Sequence, residues 1–237
     1  MISEIGLKGK ISNNQLEGVG SIPTSRTMNY EIREIPFKAA KEYISKNHYS
    51  KKISSRVRVS LGFFNSKGDL VTCIVYNHPV GKKITGWMHR NNINCAELGR
   101  LFSDDGLPKN TESYCIAASF KYLKEHHPEI KYLVSYADLL YGHIGGIYQA
   151  TNWKYTGKSI SGHGVFIING IEIHPKTLFD RHGTSSKNVI KEIYKDNVVI
   201  KKRQPLYRYI ICIGNKKEKR EWYKLFKFMP YPKKEMM

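Results

Sequence analysis

The chain has 237 residues, 41% of them hydrophobic, and its 39 Lys and Arg against 20 Asp and Glu leave a net charge of +19. That much apolar material excludes wholesale disorder, no run approaches the ~18 apolar residues of a membrane span, and no apolar leader is visible, so a soluble cytoplasmic protein is expected. Four scattered cysteines (Cys73, Cys95, Cys115 and Cys212) include no CxxC pair, which argues against a disulfide framework and a cysteine zinc site.

Residues 1–27 are polar and read as an N-terminal arm before a first strand, "MNYEIREI" (28–35). "PFKAAKEYISKNHY" (36–49) predicts a helix, with Pro36 near its first turn and Phe37, Ala40 and Ile44 on one face. "SRVRVSLGFFN" alternates polar and apolar residues, "SKG" turns, and "DLVTCIVYNHP" returns, which together predict a β-hairpin. "CAELGRLFS" (95–103) is a further strand. After the breakers "DDGLPKN", "TESYCIAASFKYLKEHH" predicts a helix with Ile116, Phe120 and Leu123 on one side and Asn110 or Thr111 as cap. "KYLVSYAD" (131–138) is a short buried strand, "GHIGGIYQATN" (142–152) a helix, and "WKYTGKS" (153–159) a returning strand.

The order β-α-β-β-β-α-β-α-β over residues 28–160 predicts an α/β (α+β) core, a mixed sheet flanked by helices, followed by a basic C-terminal extension over 161–237. This succession resembles the GNAT acyltransferase fold, in which a helix start holds the pyrophosphate of coenzyme A. The equivalent loop, "DDGLPKNTES" (104–113), has no glycine-rich phosphate motif and carries Asp104 and Asp105, which would repel phosphate.

The charge is uneven. Residues 191–237 hold 14 basic and 5 acidic side chains, so +9 of the +19 sits in the last 47 residues. A surplus of this kind favours a polyanion, because neutralising phosphates releases counterions. "QPLYRYIICIG" (204–214) is strand-like, and "REWYKLFKFMPYPKK" (220–234) interleaves rings with cations, as a surface gripping a nucleic-acid backbone would. A solvated basic tail is the plain alternative. Lys201, Lys202, Arg203, Lys216, Lys217, Lys219 and Arg220 are the candidate phosphate contacts.

Three stretches carry a closer resemblance. "NHYS" (47–50), "ELGRLFSDDGLPKNTES" (97–113) and "SYAD" with "GHIGGIYQATNWKYTG" (135–157) resemble the Mom family of phage DNA-modification proteins, over about residues 28–160. The resemblance implies an enzyme with a GNAT-like core that carbamoylmethylates the exocyclic amine of adenine in DNA and so protects phage DNA from host restriction enzymes. It implies a catalytic set of His48, Tyr49, Asp138 and Tyr148, with Arg100 and Ser113 holding a donor, acetyl-CoA or another small molecule. Lys109 and Asn110 flank that donor site. The resemblance also carries an iron requirement, for which His48, Asp138 and His143 are the candidate ligands. Double-stranded DNA with a flipped adenine is the implied partner, with no membrane role and a homodimer as an option.

The residues themselves support part of this. A carboxylate directly after the apolar "YLVSYA", Asp138, calls for a polar role. Tyr49, Tyr148 and Trp153 offer flat faces to an extruded base, and Asn152 a reader of its edge. Tyr136, Tyr148 and Trp153 serve equally as core aromatics, and His143 between glycines serves as a turn residue. A small-molecule or protein N-acyltransferase, and a DNA-binding protein that occludes restriction sites without catalysis, are the competing functions.

Overall fold

The computed structural model describes residues 9–10, 28–48, 53–79, 94–139, 142–159, 164–173, 175–202, 205–224 and 226–233. The strands in chain order are β1 (Gly9–Lys10), β2 (Glu31–Glu34), β3 (Val57–Phe64), β4 (Leu70–Asn77), β5 (Cys95–Ser103), β6 (Tyr132–Asp138), β7 (Lys154–Ser159), β8 (Gly164–Ile168), β9 (Ile171–Ile173), β10 (Val198–Lys202) and β11 (Leu206–Cys212). The helices are α1 (Phe37–Asn47), α2 (Thr111–His126), α3 (Gly146–Ala150), α4 (Pro175–His182), α5 (Lys187–Tyr194) and α6 (Lys216–Lys224). The chain divides into two compact units, one of residues 1–136, 145–157 and 208–237, the other of 137–144 and 158–207.

The first unit is built on an eight-stranded sheet of order β1-β2-β3-β4-β5-β6-β11-β7. This is the mixed α/β arrangement, in the element order β-α-β-β-β-α-β-α-β from β2 to β7, that the sequence predicts. β2 to β5 pair antiparallel, and β5 pairs parallel with β6. The β3–β4 turn forms because Asn65 Oδ1 accepts from the N–H groups of Lys67 (2.9 Å) and Asp69 (3.0 Å), while Gly68 takes φ +85.

The sheet is covered on both faces, which is why β3 and β4 are buried along most of their length. Ala40 and Ile44 of α1 pack on Cys73 and Val75. Residues of opposite parity on β4 face the other way, and there Tyr76 Oη meets Ser119 Oγ of α2 at 2.6 Å. Ile116, Phe120 and Leu123 of α2 are buried, as their spacing predicts. Phe37 differs from expectation: it is 43% exposed, so Ala40 and Ile44 carry the apolar stripe of α1. Trp222 of α6 packs on Cys95, Val134, Ile210 and Cys212.

Two features of this sheet position the candidate site. The β5–β6 register runs from Cys95↔Tyr132 to Leu98↔Ser135 and stops, although β4 stays paired with β5 as far as Ser103. A register shift between Val75 and Tyr76 marks a bulge on the β4–β5 ladder, where Val75 faces Arg100 and Tyr76 faces Leu98. The helix expected over 142–152 is shorter, α3 alone. Gly142 (φ +70) and Gly145 (φ +83) turn the chain ahead of it, in a region L side chains avoid.

The second unit holds a three-stranded antiparallel sheet of order β10-β8-β9. Its β8–β9 hairpin turns at Asn169 (φ 50) and Gly170 (φ 77), the Asn-Gly pair that a two-residue turn with two positive φ angles favours. Phe166, Ile168, Leu178 and Ile190 form its core.

Candidate functional site

Tyr148 is the centre of the best-defined polar and aromatic cluster. It lies on α3, 8% exposed, because the two glycine turns set this short helix against the sheet. Ser135 Oγ of β6 lies 2.7 Å from the Leu98 carbonyl and 2.8 Å from Tyr148 Oη. Serine has a single O–H; given to the carbonyl, which can only accept, it leaves the phenol as donor to Ser135. The Tyr148 ring sits 5.2 Å from Tyr209 and 5.3 Å from Trp153. A Cβ on Gly145 would stand 2.4 Å from the Tyr209 ring, so close packing as well as φ demands glycine there.

Trp153 is fully buried, with its ring against Phe120 (5.9 Å) as well as Tyr148. Its faces are occupied by protein, so in this conformation it is a core aromatic and not a platform for a base. Tyr231 Oη donates to the Trp153 carbonyl (2.6 Å), and Gln149 Nε2 donates to Tyr209 Oη (3.1 Å) and the Pro232 carbonyl (3.3 Å), which ties the 229–232 segment to α3. Asn152 is exposed in the turn after α3, at φ +62.

On the face shared with α1, the bulge and the end of the β5–β6 ladder gather a second polar group. Asn77, 4% exposed, stands opposite Glu97 in register, and its Oδ1 is buried with no hydrogen-bond partner among the described residues. Arg100 is partly buried, and its Nη1 donates to the Gly99 carbonyl at 2.5 Å. Burial pushes the Tyr136 phenol up, Glu97 pushes it further, and Arg208 opposes both. Arg208 Nε donates to Thr156 Oγ1 (2.7 Å). Sequence reasoning assigned nothing to Asn77, Glu97 or Arg208. The available signal was a polar residue ending the apolar run "LVTCIVYN" and an acid inside "CAELGRLFS".

His48 closes α1 as its C-cap, 7% exposed, with its N–H donating to the Ile44 carbonyl (2.9 Å). Tyr49 lies outside the described residues. In the second unit, Asp138 ends β6 and its carbonyl accepts the His143 N–H (3.2 Å), which closes a short loop. Among the described residues no group of three or more His, Cys, Asp or Glu side chains is placed to hold a metal ion. The expected iron ligands His48, Asp138 and His143 belong to no such group.

The start of α2 is the expected donor end. Asn110 occupies the N-cap position in a left-handed conformation (φ 70) and makes no side-chain cap bond. The Thr111 hydroxyl donates instead to the Pro108 carbonyl (2.6 Å), so neither expected cap residue closes the helix with its side chain. First-turn amides left uncapped are where a helix start attracts an anion. Ser113 is half-buried in that turn, and Lys109 and Asn110 are exposed. Asp104, expected to repel phosphate, accepts from Tyr43 Oη (2.6 Å).

Lys216, Lys217, Lys219 and Arg220 are all exposed on α6, while Glu218 turns inward to bond Lys131 and the Asn215 N–H (2.8 Å). Trp222 of the same helix packs into the core, so the cations are carried on a folded element. Lys201 is exposed on β10, which Lys202 ends; Arg203 lies outside the described residues. No helix among the described residues is long and apolar enough to cross a membrane.

The sequence profile of the Mom protein family matches residues 29–233, a span that takes in the core and the basic C-terminal region alike. The chain belongs to the Mom family. It is 27% identical over 222 residues to the Mom methylcarbamoylase of Escherichia phage Mu, covering 92% of this chain and 90% of that protein. Among solved structures, this Mom-family chain is similar to the SpeG spermidine N-acetyltransferase of Vibrio cholerae, with a TM-score of 0.46 and 7% identity over 78% of this chain and 94% of that one. It is also similar to a polyamine N-acetyltransferase of Drosophila melanogaster, with a TM-score of 0.43 and 7% identity over 76% of this chain and 98% of that one.

Proposed function

We propose that this Mom-family protein is a phage DNA-modification transferase that carbamoylmethylates the exocyclic amine of adenine in duplex DNA, shielding phage DNA from host restriction enzymes. The observation that carries this reading is the match to the phage Mu methylcarbamoylase over 92% of the chain. The net charge of +19 supports a polyanionic substrate independently.

The chemistry sets what the residues must do. The adenine amine is a weak nucleophile because its lone pair is delocalised into the ring, so a base must take its proton as the new bond forms. His48 and Asp138 are the proposed bases. The amine is also paired inside the duplex, and flipping the base out costs a few kcal/mol. Tyr49 and Tyr148 are proposed to line the pocket for the extruded base, and Asn152 to read its edge; the Tyr148 phenol held against Ser135 supports a fixed ring there. Arg100, a planar cation, and Ser113, with the amides at the α2 start flanked by Lys109 and Asn110, are proposed to hold the donor.

The product joins the adenine nitrogen to a methylene carbon. Attack on the thioester carbonyl of acetyl-CoA would instead give an N-acetyl amide, and its methyl carbon carries no leaving group. Direct formation of the N–CH2 bond calls for a small donor whose methylene carbon bears the carboxamide and a leaving group, which departs with the bonding electrons as the amine proton passes to the base. Nucleoside mass spectrometry of DNA from cells expressing the protein tests the proposal, because carbamoylmethylated and acetylated deoxyadenosine differ in mass. Unmodified DNA from cells with good expression and a supplied donor would overturn it, and acylation of a small amine under the same conditions would point to the generic N-acyltransferase.

A further inference from the structure

The second unit carries two successive helices that none of this chemistry uses. α4 ends at His182, residues 183–186 turn, and α5 begins at Lys187 with Ser186 as its N-cap. Gly183 takes φ +68 and its N–H donates to the Phe179 carbonyl (2.8 Å), while the Ser186 N–H donates to Thr184 Oγ1 (3.1 Å). The two helices form one packed piece. Leu178 of α4 and Ile190 of α5, both fully buried, pack with Phe166 and Ile168 of β8. His182 Nε2 lies 2.7 Å from Tyr194 Oη, with the two rings edge-on. Two helices joined by a four-residue turn containing glycine have the connectivity of a helix-turn-helix, whose second helix enters the DNA major groove.

What α5 presents to solvent suits that groove. Ile190 and Tyr194 turn toward the core cluster, and Val189 and Ile193 are exposed on one flank of that buried stripe. By the helical period Lys187 and Lys191 flank the stripe on the other side and Asn188 lies next to them further toward solvent, all three on an exposed face. Glu192 borders that face, and Lys195 extends its line of cations beyond the helix end. Arg181 and Asp180 near the end of α4, and Asp196 after α5, are the remaining exposed charges around it. Eight residues at about 1.5 Å each make a helix about 12 Å long, comparable with the ~12 Å width of the major groove. Lysines supply phosphate contacts, an asparagine can pair with the N6 and N7 edge of adenine, and a glutamate can accept from the cytosine amine.

We propose that α4, the 183–186 turn and α5 form the duplex-reading element of the protein, with α5 in the major groove, Lys187 and Lys191 on phosphates and Asn188 on a base edge. This rests on the reading of the protein as a DNA modifier. The element would set sequence context, a task separate from the proton transfer and from donor binding.

The test compares the full-length native protein with Lys187→Ala/Lys191→Ala and with Asn188→Ala, all exposed positions whose replacement should leave thermal melting unchanged. Duplex affinity is measured across a salt series, and modified sites are mapped by sequencing. The double lysine variant should bind duplex about tenfold or more weakly, with a log–log salt slope shallower by about 0.9 for each phosphate no longer neutralised. Asn188→Ala should keep average duplex affinity but lose about tenfold of its discrimination at one base position. Unchanged slope, affinity and site profile in the variants would overturn the proposal. So would an equal loss of affinity for single-stranded oligonucleotides, which marks a general cationic surface. A native protein that binds no duplex at all would instead overturn the DNA-modification reading itself.

Discussion

Gly99 offers a sharp test of the site geometry. It lies at the β4–β5 bulge, and a Cβ there would stand 2.0 Å from Asn77 Nδ2, 3.1 Å from Asn77 Cγ and 3.8 Å from the Val75 carbonyl oxygen. Its φ is not in the left-handed region, so Gly99→Ala adds a steric conflict without backbone strain. Asn77 is 4% exposed, so its amide has no room to swing into solvent. Overpacking of this kind costs about 1–3 kcal/mol, or roughly 2–12 °C of melting temperature for a chain of this size. Asn77→Ala removes the conflicting amide, and its Oδ1 gives up no hydrogen bond within the described protein. Gly99→Ala/Asn77→Ala should therefore regain most of the loss, with a coupling of about 1–3 kcal/mol in a double-mutant cycle. Urea unfolding of the four proteins measures this. A Gly99→Ala protein within about 0.5 kcal/mol of native, or losses that simply add, would refute the close approach.

The remaining predictions concern catalysis, donor, grip and pH. His48→Ala and Asp138→Ala should each abolish adenine modification while leaving the protein folded and bound to DNA, and a near-normal yield from either removes that residue from the catalytic set. Arg100→Ala should weaken acetyl-CoA binding in calorimetry about tenfold with little effect on duplex affinity; no binding by the native protein would indicate another donor. Neutralising Lys216, Lys217, Lys219 and Arg220 should flatten the salt dependence of duplex binding by about 0.9 for every phosphate these cations neutralise and weaken all sequences alike, and an unchanged slope would place the grip elsewhere. Burial pushes the Cys73 thiol up to about 12 from its ordinary 9.0. Its contribution to stability is complete below the unfolded value and is lost as pH rises through the window from about 9 to about 12. Alkylation of Cys73 at pH 8 should accordingly be far slower in the folded protein than in urea, and equal rates would contradict its burial.

Local pattern made most of the elements legible. β5 occupies the nine residues of "CAELGRLFS", and α2 starts where "TESY" begins, because alternation and a four-residue repeat are written in neighbouring positions. The helix expected over 142–152 is longer than α3 because composition hides the positive φ of Gly142 and Gly145. The place of "LYRYIIC" between β6 and β7 was not legible, since strand neighbours depend on pairing across long stretches of chain. The same holds for the site. Tyr148 stood out as an aromatic in a glycine-rich stretch, but its tie to Ser135 joins two elements. Asn77 and Glu97 face each other only through the β4–β5 register.

The position of β11 has a consequence during synthesis. β6 leaves the ribosome with one edge uncovered, and the strand that covers it follows roughly 70 residues later, which at about 5–20 residues per second is a wait of roughly 3–14 s. Everything encoded between β7 and β11 emerges within that interval. An unpaired strand edge held open for seconds is a template for pairing with another chain. Expression should therefore be sensitive to translation pauses between codons 160 and 205, with slower decoding there sending more of the protein into aggregates before the sheet can close.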